Sequence, residues 1–231
     1  RKLVGCDINP DCSRLKFDDP RIAVVVGDAS DDHTQSQILA YSPAYDIIID
    51  DGSHRSSDII KTFSRYFPRL NNRGIYVVED LHCSYWLQYE GGLFEPFSSI
   101  SFFKRLVDVV NFEHWGLEYS RAAVIQPILD AYLTTLDEAL LSRIHSVEFL
   151  NSLCLIRKKE QIHNRLGARV VVGQEADVDS DPLDREGDLC ERLPQSQLIS
   201  PKDPILVADG LKSDVATRDV RLSALSQQLI E

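Results

Sequence analysis

The stretch Tyr45-Asp46-Ile47-Ile48-Ile49-Asp50-Asp51-Gly52-Ser53-His54 decides the fold. A short apolar run closed by two carboxylates and a glycine reads as a strand buried within a parallel sheet. Working outward, Ser57 precedes Ile59, Ile60, Phe63, Tyr66, Phe67 and Leu70, spaced as one helical face. Pro68 or the turn Asn71-Asn72-Arg73-Gly74 stops that helix. Ile75 to Val78 is the next apolar run, and it ends in Glu79-Asp80. Strand, helix and strand in this order form a β-α-β unit.

Two earlier runs have the same character: Leu3 to Cys6 ends in Asp7, and Ile22 to Val26 ends in Gly27-Asp28. Four buried strands, each closed by an acid, are therefore expected. Residues 81–122 are rich in aromatics and resist assignment. Beyond them Ile125, Ile128, Leu129, Tyr132, Leu133, Leu136 and Leu140 form a second helical pattern. Ser146 to Leu150 and Leu153 to Arg157 flank Asn151-Ser152 as a hairpin would. The expected fold class is α/β, a doubly wound parallel sheet with an antiparallel C-terminal strand pair. No internal repeat is present.

Composition narrows the function. The chain has 231 residues, 43% hydrophobic and 26% charged, which suits one globular domain with an extension and excludes disorder throughout. Its net charge of -11 repels a phosphate backbone, so nucleic acid is not an expected partner. No apolar run approaches the roughly 18 to 20 residues of a membrane helix, and no leader pattern opens the chain, so a cytoplasmic protein is expected. Five cysteines (Cys6, Cys12, Cys83, Cys154, Cys190) without a C-x-x-C pair read as reduced thiols. Methionine is absent even at position 1, which suggests a piece of a longer parent, fused there to other domains.

The last third changes character. Between Glu175 and Glu191 eight acids face Arg185 alone, with Pro182, Pro194, Pro201 and Pro204 nearby, so residues 160–213 read as a solvated acidic linker. After it Asp214 is placed to cap a helix bearing Leu222, Leu225 and Leu229, over 214–231.

In open parallel sheets the ligand lies beyond the carboxyl ends of the strands, where these acids would converge. Each one taken singly reads equally well as a turn starter or helix cap. Asp7 stands where a carboxylate accepts from ribose hydroxyls, with Ile8 following it. Asp28 is placed to accept from an adenine amino group, with the small Ala29 admitting the ring. Asp51, Glu79 and Asp80 supply three hard oxygen ligands from adjacent strand ends, a set that suits Mg2+ and disfavours zinc. His54, three residues after Asp51, can aim its imidazole at a hydroxyl as general base; the bland alternative is a local hydrogen bond at a helix start. His82 is the other histidine near this set. Tyr85, Trp86 and Tyr89 before Gly91-Gly92 read either as a flap over an acceptor or as core packing.

Cys6-Asp7-Ile8-Asn9-Pro10, Gly27-Asp28-Ala29, residues 45–54, Gly74 to Leu81 and Ser84-Tyr85-Trp86 together resemble the magnesium-dependent class I S-adenosylmethionine O-methyltransferases. The members in question act on sugar hydroxyls of macrolide and rhamnosyl natural products, and have cephalosporin hydroxylase-like relatives. The resemblance covers residues 1–159. It implies a Rossmann-like methyltransferase sheet with S-adenosyl-L-methionine and Mg2+ as cofactors and a small-molecule or glycan hydroxyl as acceptor. It also implies a metal site of Asp51, Glu79 and Asp80, His54 as catalytic base, and Asp7, Ile8, Asp28, Ala29 and Asp50 around the cofactor. One departure stands out. The family's first strand and glycine-rich loop should lie roughly 20 residues before the ribose acid, yet six residues precede Asp7. Two other readings stay open: a hydroxylase-like partner protein, and a non-catalytic interaction module of a larger assembly.

Overall fold

The computed structural model describes residues 1–115, 119–175, 178, 181 and 183–189. Two parallel strands, β1 (Leu3–Asp7) and β2 (Ile22–Val26), pair from Leu3↔Ile22 to Asp7↔Val26. Helix α1 (Asp32–Tyr41) follows, capped by Asp31, whose carboxylate accepts from the His33 and Thr34 N–H groups. Strand β3 (Tyr45–Asp50) then leads through the loop carrying Asp51 and His54 into α2 (Ser56–Tyr66) and β4 (Leu70–Val78). Helices α3 (Ser99–Val110), α4 (Arg121–Ala131) and the short α5 (Glu138–Leu141) precede the hairpin of β5 (Ile144–Leu150) and β6 (Leu153–Lys158).

The second sheet has the order β3-β4-β6-β5, with β3 and β4 parallel and the rest antiparallel. The parallel register Ile48↔Tyr76 and Asp50↔Val78 brings the carboxyl ends of β3 and β4 side by side. That register carries Asp51 toward Asp80. No strand among the described residues joins β1-β2 to β3.

One face of this sheet makes the core. Tyr76, Val78, Cys154 and Ile156 are buried there against Phe63 of α2 and Phe102 of α3. Phe63 stacks on Phe67 at 4.8 Å and meets Tyr76 edge-on at 5.1 Å, an arrangement favoured by the ring quadrupoles. Helix α2 buries Ile59, Ile60, Phe63 and Tyr66, one stripe at helical spacing. Lys158, 2% exposed, donates to the carbonyls of Phe67, Pro68 and Leu70 and ties β6 to the α2–β4 connection.

Several expectations are corrected. The strands β1 and β3 are not buried: Leu3, Ile47 and Ile49 are 63%, 61% and 58% exposed. Among the described residues each of these strands is paired on one edge, and the β3 residues alternate onto the sheet face that α2 and α3 leave uncovered. The Asn71–Gly74 segment is no turn between elements but an irregular start of β4, where pairing jumps from Tyr45↔Leu70 to Ile47↔Ile75 around Arg73 at φ +67°. The helical pattern from Ile125 to Leu140 is broken after Ala131. Leu133, at φ +54° and 94% exposed, leaves the core face because the chain turns there. The unassigned aromatic region contains α3, whose Phe102, Phe103, Leu106 and Val109 are all buried.

Hydrogen bonding to the sheet domain continues past residue 159. Asn164 donates to the Ser142 carbonyl, and the Leu166 N–H donates to Glu113. The expected C-terminal helix over 214–231, and much of the acidic tract, lie outside the described residues. Cys6, Cys12, Cys83 and Cys154 are free thiols. Among the described residues no helix is long and apolar enough to cross a membrane.

Candidate active site

The β3–α2 loop and the end of β4 bring Asp51, His54 and Asp80 together, each offering one ligand atom within 4.8 Å of the others. His54 Nε2 lies 4.0 Å from Asp51 Oδ1 and 3.8 Å from Asp80 Oδ2. Both carboxylates are more than half exposed, whereas the imidazole is 22% exposed. His54 and Asp80 hold left-handed conformations, φ +59° and +48°, which ordinary side chains rarely adopt. Such strain collects where surrounding structure forces a side chain into place. Here the forcing elements are α2, which starts at Ser56, and the 3-10 turn Leu81–Tyr85 directly after Asp80.

The donor set suits a hard divalent cation. Two exposed carboxylates converge, with imidazoles as their cationic neighbours within 4.0 Å among the described residues, so a small cation between them would relieve their repulsion. Glu79 stands beside Asp80, half-buried, with its N–H donating to the Asp50 carbonyl. Its carboxylate is not among the three groups that lie within 4.8 Å of one another.

Asp50 points to the core side. It accepts from the Tyr76 hydroxyl at 3.1 Å, and desolvation pushes its carboxyl up to about 6 despite that bond. Tyr76 is entirely buried, and its hydroxyl titrates far above the ordinary range through desolvation and the Asp50 charge.

The acids at the other sheet occupy adjacent strand ends. Asp7 Oδ1 accepts from the Asn9 N–H at 2.7 Å, and Ile8 is 71% exposed. Asp28 Oδ1 accepts from the Ser30 N–H and hydroxyl, which hold its carboxyl below the usual range. Ala29 is partly buried, and its carbonyl accepts from Tyr66. A carboxylate has about four lone-pair sites, so these turn bonds leave acceptor capacity at both acids.

The sequence marked His82, Tyr85 and Trp86 beside this set but not Glu90. His82 Nδ1 lies 2.6 Å from Ser152 Oγ and 3.8 Å from Asp80 Oδ1, linking the β5–β6 turn to the acids. Glu90 accepts from Arg55 at 2.6 Å and from the Ser57 N–H at 2.9 Å, and so caps α2 from a distant loop. Desolvation opposes ionisation of Glu90, but the bonds from Ser57 and Arg55 prevail and hold it below the usual range. Tyr85 and Trp86, at 41% and 46% exposed, are not core residues. The sequence carries no local signal for Glu90, whose partners lie 33 and 35 residues away. A separate groove of about 380 Å3, lined by residues that include Lys61, Arg65 and Arg69, shares no residue with the acid cluster.

No family model matches the chain. It is similar to the 8-demethyl-8-alpha-L-rhamnosyl tetracenomycin-C 2'-O-methyltransferase of Streptomyces olivaceus, 41% identical over 122 residues, which are 52% of this chain and 32% of that protein. Demethylmacrocin O-methyltransferase of Streptomyces fradiae is 37% identical over 110 residues, 46% of this chain and 27% of that protein. Mycinamicin VI 2''-O-methyltransferase of Micromonospora griseorubida is 32% identical over 125 residues, 52% and 30% respectively. The chain spans about a third of the length of these curated relatives. Among solved structures it is similar to the MycE methyltransferase from the mycinamycin biosynthetic pathway in complex with Mg, SAH and mycinamycin VI. That likeness has a TM-score of 0.54 and 21% identity, covering 74% of this chain and 39% of that one. A second MycE crystal form with Mg and SAH gives a TM-score of 0.56 at 21% identity, covering 79% and 42%. The described part of the chain therefore has the mixed sheet of the class I methyltransferase fold, and its homologues are sugar O-methyltransferases of macrolide and tetracenomycin pathways.

Proposed function

We propose that the chain carries the acceptor-side machinery of an S-adenosylmethionine-dependent, Mg2+-assisted O-methyltransferase acting on a sugar hydroxyl of a glycosylated small molecule. The observation that carries this reading is the meeting of Asp51, His54 and Asp80 at the ends of two adjacent parallel strands, in a relative of sugar O-methyltransferases. When bound, Mg2+ supplies charge that raises the acidity of a hydroxyl, and S-adenosylmethionine supplies an electrophilic methyl with a good leaving group.

The chain's own residues do the rest. Asp51 and Asp80, with Glu79 next to them, would hold the cation. His54 Nε2 takes the hydroxyl proton, and the two carboxylates at 4.0 and 3.8 Å orient the ring and stabilise its protonated form. Asp7 and Ile8, Asp28 and Ala29 would receive the nucleoside end, with Asp50, held by the Tyr76 hydroxyl, as a further cofactor-side residue. We assign residues 1–159 to this domain and 160–213 to an acidic linker whose first residues hydrogen-bond to the domain. Fusion to other domains, a cytoplasmic setting and no role for nucleic acid belong to the same reading.

Incubating the protein with labelled S-adenosylmethionine, Mg2+ and a rhamnosylated acceptor should move label to the acceptor. His54→Ala should abolish transfer while S-adenosylhomocysteine still binds. Turnover unchanged by that substitution refutes the base assignment. No transfer and no calorimetric binding of S-adenosylhomocysteine would favour an interaction module, and binding without transfer a hydroxylase-like partner.

A further inference from the structure

We propose that Trp86, with Tyr89 beside it, is a stacking platform for the apolar face of the acceptor's pyranose ring, and that Glu90 positions this platform against His54. The proposal rests on the sugar O-methyltransfer reading and deepens it by placing the sugar.

Trp86 is 46% exposed in a segment held by many hydrogen bonds. Its N–H donates to the Cys83 carbonyl, and its own carbonyl accepts from Tyr89 and Gly91. Gly92 donates to the Ser84 carbonyl, the buried Ser84 hydroxyl pairs with that of Ser99 at 2.6 Å, and the Ser99 N–H donates to Ser56 at the start of α2. A side chain at Gly91 would place its Cβ 2.0 Å from the Ser84 carbonyl oxygen, so this packing admits glycine alone. The fold therefore fixes an indole at the surface, where leaving it exposed forgoes burial of a large apolar group.

The platform adjoins the candidate active site on two sides. The Trp86 ring meets the His82 ring edge-on at 5.0 Å, and His82 Nδ1 is 3.8 Å from Asp80. Tyr89 lies 6.1 Å from Trp86 and 6.3 Å from the His54 ring, centroid to centroid. One side chain thus separates Trp86 from the acid and one from the imidazole.

A pyranose ring has an apolar C–H face and a hydroxyl rim. Its C–H groups carry partial positive charge and suit the negative face of an aromatic ring. Laid on Trp86, such a ring turns its rim toward Asp80 and His54. Apolar walls with a few convergent polar groups are the usual form of a small-ligand site. Glu90 fixes the register: from a left-handed conformation at φ +59° it accepts from Arg55, the residue after His54, and from Ser57.

The chain has two tryptophans, so Trp115→Phe leaves Trp86 as the sole indole. Titrating that protein with methyl α-L-rhamnopyranoside should give a saturable change in emission, and mannitol, which has hydroxyls but no ring, should give none. In turnover assays Trp86→Ala should raise the KM for a rhamnosylated acceptor about tenfold and leave that for S-adenosylmethionine unmoved, with Trp86→Phe restoring most of the loss. Glu90→Gln should raise the acceptor KM in the same way. No saturable response to the rhamnoside, an equal response to mannitol, or an acceptor KM for Trp86→Ala within twofold of wild type overturns the platform. Saturable rhamnoside binding without methyl transfer would refute the proposed function yet support the platform, and transfer with an unmoved acceptor KM would do the reverse.

Discussion

His54 and Asp80 sit on different strand connections, yet His54 Nε2 stands 3.8 Å from Asp80 Oδ2, and both residues hold left-handed backbone conformations. Each such conformation costs about 1–3 kcal/mol, which the packing of α2 and of the turn after β4 must offset. Glycine accepts φ +59° without that cost. His54→Gly should therefore melt no lower than wild type while methyl transfer falls about 100-fold or more. Calorimetry with a transfer assay checks both, and a clear drop in melting temperature would show that the imidazole stabilises the fold.

Asp50 makes stability depend on pH. Its folded carboxyl titrates at about 6 against 3.8 in the unfolded chain, so the folded state binds the extra proton between those values. The contribution is fully present below pH 3.8 and is lost as pH rises through 6, a loss of up to about 3 kcal/mol. Asp50→Asn should remove that slope and leave the protein more stable at pH 7. Urea unfolding at pH 4.5 and pH 7 measures it, and parallel pH dependences in the two proteins would contradict the assignment.

Gly91→Ala should be severely destabilising for its loop, because the new Cβ meets backbone at 2.0 Å rather than a movable side chain. Protection of the Trp86, Gly91 and Gly92 amides from hydrogen exchange should collapse, while the β4 amides stay protected. Retained protection at Gly92 would show that the loop tolerates the methyl.

Lys158 gives three buried or partly buried carbonyls a donor, so Lys158→Met should cost about 2–4 kcal/mol in urea unfolding. Desolvation, aided by the Arg143 charge, lowers its ammonium to about 8 from 10.5. Between those values the unfolded chain binds the extra proton, so wild-type stability should rise with pH from 8 toward 10.5, and the variant should lack that rise.

Spacing along the chain was enough to mark the strands and their acids. Apolar runs at Ile22–Val26 and Tyr45–Asp50, the amphipathic stripe of α2 and the Asn151-Ser152 hairpin are local patterns, and local patterns survive folding because each is set by spacing along the chain. Helix α3 was present in the same terms, with Ser98 as its cap and Phe102, Phe103, Leu106 and Val109 on one face, but the surrounding aromatics masked its period.

Which carboxylates meet depended instead on how the elements dock. The β3–β4 register brought Asp51 and Asp80 to His54, while Asp50, adjacent to Asp51, turned toward Tyr76, since successive residues at a strand end face opposite sides. Tertiary structure likewise exposed Ile47 and Ile49, seated Glu90 on the start of α2 and turned Trp86 outward. Those outcomes depend on contacts between residues tens of positions apart, formed when separate elements dock, and no periodicity along the chain encodes them.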